Sequence, residues 1–124
     1  MREMVLYYNA VQMPHVAKLK GVLVRMGIRI KNIQPEQVMQ AVGYLAGIKG
    51  YEEAEMPELL PVIEEEMLVM KGFTSRRVDE LLMNLRKAGV PKIALKAVVT
   101  ESNCGWSFYH LYEEIREEHG KMSL

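Results

Sequence analysis

The segment Lys96-Ala97-Val98-Val99-Thr100-Glu101-Ser102-Asn103-Cys104-Gly105-Trp106 decides how the chain is read. It opens as a strand, with alanine and two valines, and ends at the mouth of a helix that Ser107 can cap. Between the two it places Thr100, Ser102, Asn103 and the only tryptophan on a loop. Working back from it, Met67-Leu68-Val69-Met70 reads as a second buried strand. Thr74 or Ser75 then caps a helix with Val78, Leu81, Leu82 and Leu85 on its inward stripe. Gly89 ends that helix, and Ile93 to Val99 is apolar enough for a central strand. After Trp106, the positions Phe108, Leu111, Tyr112 and Ile115 form the inward stripe of a last helix.

The first fifty residues repeat this rhythm. Met4-Val5-Leu6-Tyr7-Tyr8 is a short apolar strand. Val16, Leu19, Leu23 and Met26 share one helical stripe that stops at Gly27. Ile28 to Lys31 alternates as a half-exposed strand, and Gln34-Pro35-Glu36 starts a second helix with Val38, Val42 and Leu45 inward and Gly47 at its end. Leu23-Val24-Arg25-Met26-Gly27-Ile28 answers Leu85-Arg86-Lys87-Ala88-Gly89-Val90 at a separation of 62 residues, which suggests an internal repeat. The expected fold is α/β, two β-α-β-α halves forming a four-stranded sheet covered by helices. The halves span residues 1–50 and 66–124 of a single domain, 1–124, joined by an acidic linker over 51–65.

Composition sets the outer bounds. With 124 residues, 49% hydrophobic and 26% charged, the chain can bury a core without metals or disulfides. A single cysteine, Cys104, excludes an internal disulfide and fits a reducing compartment, so the expected location is the cytoplasm. No stretch has the apolar length of a membrane span, and the N-terminal residues lack a continuous apolar signal core. The net charge of zero conceals alternation: seven basic and two acidic residues over 1–51, seven glutamates and no base over 52–66, seven basic and two acidic over 67–100, and two basic against five acidic thereafter. Complementarity between faces of one molecule is the simplest use of such blocks; a partner-binding patch is the other. Basic residues are not interleaved with aromatics as on a nucleic-acid-binding sheet, so nucleic acid is disfavoured.

Reaction chemistry is not legible. The P-loop, HExxH and GxSxG motifs are absent, and Gly43 to Gly50 lacks the spacing of a dinucleotide loop. His15, His110 and His119 are too far apart for a metal pair, and Cys104 has no histidine beside it. No catalytic residue, metal ligand or cofactor is assigned. The best candidate is a ligand edge. In a β-α-β-α unit with parallel strands, both strand-to-helix loops lie beyond the strands' carboxyl ends, where open α/β sheets bind ligands. That edge would gather Thr74, Ser75, Arg76 and Arg77 with Thr100, Asn103 and Trp106. Arg76 and Arg77 oppose the helix dipole in a first turn, a conflict that a bound anion would remove. The competing reading is structural: Asn103 and Thr100 close a tight loop, and Trp106 plugs the sheet edge.

The run from Glu66 to Glu118 resembles a small bacterial family, domain of unknown function thirty-seven eighty-three. Gly72-Phe73, Gly89, Lys96-Ala97 and the Thr100, Asn103, Trp106 spacing carry the resemblance, together with the glutamates after Tyr112. It implies a bacterial cytoplasmic protein and brings no known activity. The expected function is therefore a non-enzymatic binding or protein-interaction module, self-associating as a homodimer or taking another protein partner. Ten methionines offer it adaptable apolar surface. The alternative is a small domain that binds or senses an anionic ligand, phosphate- or nucleotide-like, through the C-terminal loops.

Overall fold

The computed structural model describes residues 2–9 and 14–122. Its elements are β1 (Met4–Tyr8), α1 (Val16–Arg25), β2 (Arg29–Ile33), a short 3-10 turn (Pro35–Gln37), α2 (Val42–Leu45), β3 (Met67–Lys71), α3 (Ser75–Lys87), β4 (Leu95–Val98) and α4 (Phe108–Met122). The strands form one sheet in the order β2-β1-β3-β4. β1 runs parallel to β2, β3 parallel to β4, and the central pair β1 and β3 is antiparallel, with Leu6 opposite Val69. The two β-α-β units therefore meet head to tail across the middle of the sheet.

Side-chain alternation explains why the two central strands are apolar throughout. Val5, Tyr7, Leu68 and Met70 face a cluster completed by Leu19 and Leu23 of α1 and Leu81 and Leu85 of α3. Leu6, Tyr8, Met67 and Val69 face the other side, where Val42, Leu45, Phe108 and Leu111 bring in α2 and α4. A strand covered on both faces has no polar side to show. The helix ends follow local chemistry. Thr74 Oγ1 accepts from the Arg77 N–H, and Ser107 Oγ accepts from the His110 N–H. Gly27 and Gly89, after α1 and α3, take positive φ of 71° and 85°, where a side chain would be strained.

Two elements differ from the sequence expectation. The stretch 93–99 is not a central strand: β4 is shorter, lies at the sheet edge, and exposes Val98. Lys96 interrupts its apolar run, whereas β1 and β3 carry unbroken ones. The helix expected over 34–46 is broken into the 3-10 turn and the single turn of α2. Val38, Val42 and Leu45 are nevertheless fully buried. The break has a physical cause. The Val38 and Gln40 carbonyls accept from the backbone N–H groups of Tyr109 and Phe108, so they cannot serve a continuous helix.

Candidate functional site

The topology places the loops after β3 and β4 at one sheet edge, as parallel strands require, and Arg2 and Glu3 lie beside them. The Gly72 backbone, at φ 79°, passes so close to Arg2 that an added Cβ would stand 3.0 Å from the Arg2 carbonyl oxygen. The residues gathered there are mostly engaged with the protein itself. Arg77 Nη2 and Nε donate to the two Glu3 carboxylate oxygens at 2.6 and 2.8 Å, Nη1 donates to Glu80 at 3.0 Å, and Nη2 also reaches the Met26 carbonyl. The hydrogen bonds from Arg77 hold the Glu3 carboxyl below its ordinary pKa, and those to Glu3 and Glu80 push the guanidinium pKa up. One arginine thus ties β1's entry, the α1–β2 turn and α3 together. Arg76 is the opposite case: its side chain is 89% exposed, with one loose contact to Glu80 at 3.4 Å. Thr74 is spent on its cap, and Ser75 is exposed in the first turn of α3.

Asn103 is buried and closes its own loop. Its Oδ1 accepts from the Thr100 N–H at 2.8 Å, its Nδ2 donates to the Val98 carbonyl at 3.0 Å, and its own N–H donates to Thr100 Oγ1 at 3.2 Å. Trp106, half-buried, stacks on His110 with ring centroids 4.4 Å apart. No hydrogen bond or ion pair joins Thr74–Arg77 to Thr100–Trp106 among the described residues.

The pinned loop has a second role. Its Cys104 and Trp106 carbonyls accept from the Gly43 and Val42 N–H groups, the orphan donors at the start of α2. In return, the Gln40 and Val38 carbonyls accept from Phe108 and Tyr109 at the start of α4. Ala41 and Ser107 form an antiparallel bridge at the centre of this exchange. Each helix start is capped by the backbone that precedes the other. Donors that would otherwise attract an anion at α4 are therefore already satisfied.

The acidic segment 51–66 has no regular secondary structure, yet it is held along its length. Gln40 bonds both the Ala54 N–H and its carbonyl, at 2.7 and 2.9 Å. Four of the six tyrosines reach it: Tyr44 donates to Glu53, Tyr8 to the Ile63 carbonyl, Tyr112 to Glu65 and Tyr7 to Glu66. Ile63 is fully buried. The apolar residues between these anchors point the other way: Leu59 is 88% exposed, Val62 72% and Met56 60%. No lysine or arginine among the described residues forms an ion pair with any of its seven glutamates.

Sequence reasoning missed one cluster. Glu66 Oε2 lies 2.6 Å from His15 Nε2 and also accepts from the Tyr7 hydroxyl, and all three side chains are buried or nearly so. Burial, and then the hydrogen bond to Glu66, pushes the Tyr7 phenol well above its ordinary pKa. The cluster locks β1, the start of α1 and the start of β3 together. The signal available in sequence was a tyrosine within a buried strand, Tyr7, whose hydroxyl needs a partner.

A groove of about 240 Å³ opens where α3 meets β4, floored by Leu82, Leu85 and Ile93 and rimmed by Arg86, Lys92 and Lys96. Burial, and then the charge of Lys92, lowers the Lys96 pKa. No group of histidine, cysteine and acidic residues among the described residues could hold a metal ion, and no described helix is long and apolar enough to cross a membrane.

No curated protein and no solved structure matches the chain. One family model matches a stretch that begins at Glu66 and takes in the Asn103 loop and α4. Residues 66–122 match the family described as Domain of unknown function (DUF3783).

Proposed function

We propose that this chain is a non-enzymatic protein-interaction module of the bacterial cytoplasm, and that its binding element is the acidic segment 52–66. The observation that carries the reading is the presentation of that segment. Anchored residues hold it in place, while Met56, Leu59 and Val62 stand in solvent beside glutamates that form no ion pair with a lysine or arginine among the described residues. An apolar side chain exposed by a fixed backbone loses little conformational freedom on binding, which favours recognition. The family resemblance and the buried free thiol of Cys104 support a bacterial and reducing setting.

An anionic-ligand or sensing site at the loop edge is the second reading, and Arg76 is what favours it. It is weaker because Arg77 and Asn103, the other groups it needs, already bond within the protein.

Two measurements on the purified protein separate the readings. Leu59→Asp is expected to leave the unfolding free energy within about 0.5 kcal/mol, as for a surface residue without a folding role. A loss above about 1.5 kcal/mol would assign Leu59 to the fold and contradict the interaction reading. A thermal-shift screen against phosphate, nucleotides and dicarboxylates is expected to be flat. A ligand at a hundred times its Kd would add about 2.7 kcal/mol, and such a hit lost in Arg76→Ala would move the function to the loop edge.

A further inference from the structure

We infer that the partner is a second copy of this chain, with Met56 and Leu59 of one copy seated in the α3–β4 groove of the other. This rests on the interaction reading above and names its occupant.

The groove and the segment are complementary in size and charge. At about 240 Å³ the groove falls short of the roughly 300–1,000 Å³ of small-molecule sites, and it suits one or two aliphatic side chains. Its rim carries Arg86, Lys92 and Lys96, none of which forms an ion pair with a carboxylate among the described residues. Lys96 lies close enough to Lys92 for the two charges to oppose each other. A partner bearing carboxylates removes that opposition. Glu55-Met56-Pro57-Glu58-Leu59 offers two carboxylates alternating with two exposed apolar side chains, the pattern that an apolar floor and a basic rim demand.

The segment cannot serve its own groove. Ile63 anchors it in the cluster on the α2 and α4 side of the sheet, whereas Leu85 and Ile93 belong to the cluster on the α1 and α3 side. The Gln40–Ala54 and Tyr8–Ile63 bonds hold it there. The sheet stands between the two complementary surfaces, so only another molecule can join them. Reciprocal docking related by a two-fold axis uses both segments and both grooves and closes a dimer.

Sedimentation velocity over a concentration series tests this with the full chain. The wild type is expected to self-associate, and the association is expected to weaken about tenfold or more between roughly 0.05 and 0.5 M salt, because rim charges are screened. Leu59→Asp and Lys92→Glu should each weaken it by about tenfold or more, as loss of a central anchor or a rim charge does. Glu58→Lys combined with Lys92→Glu should recover part of the loss. Leu59, Glu58 and Lys92 are exposed, and unchanged circular dichroism would confirm that folding is intact. A wild type that stays monomeric at low salt overturns the inference, as does a dimer that tolerates both single substitutions. If a photo-crosslinker at position 59 of such a monomer still captures a different protein, the second-copy inference falls and the interaction reading stands. If it captures nothing, both fall.

Discussion

Replacing Glu66 by alanine is expected to destabilise the protein by about 3 kcal/mol or more, among the largest effects of any single polar substitution in the chain. An ionised carboxylate only accepts, so the His15 nitrogen 2.6 Å from Oε2 carries its proton toward it, and the Tyr7 hydroxyl donates to the same oxygen. Removing the carboxylate leaves two buried donors without an acceptor, at about 1–3 kcal/mol each. The loss also uncouples β3 from the start of α1, since His15 is the bridge between them. Glu66→Gln keeps a carbonyl oxygen of nearly the same shape and should cost clearly less than alanine. Urea unfolding measures this, with the midpoint moving and the slope unchanged if only the folded state is affected. A Glu66→Ala loss below about 1 kcal/mol would show that the cluster is not the lock described.

Asn103→Ala is expected to cost about 2 kcal/mol. The buried amide accepts from the Thr100 N–H and donates to the Val98 carbonyl, and alanine leaves both without a partner. The consequence reaches further than the loop. The neighbouring Cys104 and Trp106 carbonyls cap α2, so a looser loop should also expose the amides of Val42 and Gly43. Hydrogen exchange should therefore accelerate at those two amides and, through the reciprocal contact, at Phe108 and Tyr109, while the centre of β1 stays protected. Asn103→Asp keeps the acceptor and loses the donor, and should fall between wild type and alanine. A stable Asn103→Ala with unchanged exchange at Val42 and Gly43 would contradict the structural role assigned to this loop.

What could be read from sequence and what could not divides along the range of the interactions. Thr74, Ser107, Gly27 and Gly89 mark helix ends through bonds or backbone angles only a few residues long, and each behaves as its residue type dictates. The apolar strands were legible for the same reason. Strand order was not, because nothing local distinguishes a central from an edge position; only the lysine in β4 hinted that it would lie outside. The helix over 34–46 broke because its carbonyls are claimed by residues more than sixty positions away, at the start of α4. The candidate site shows the same division. The loops after β3 and β4 sit at the edge where parallel strands put them. Arg77, however, finds Glu3 across 74 residues of sequence, and no pattern announces that pairing. The acidic composition of 51–65 was plain, whereas the attachment of that stretch and Glu66 by four tyrosines from three different elements depends on the folded sheet.

These attachments fix the backbone of the segment, and the proposed function has it display Leu59 to a protein partner. Photo-crosslinking from a benzophenone side chain at position 59, in the intact protein inside cells, tests that most directly. Discrete light-dependent protein adducts are expected from position 59, lost when Glu55 and Glu58 are changed to lysine. None is predicted from position 79 on α3, which is also exposed. No adduct from position 59, or the same adducts from both positions, would contradict it.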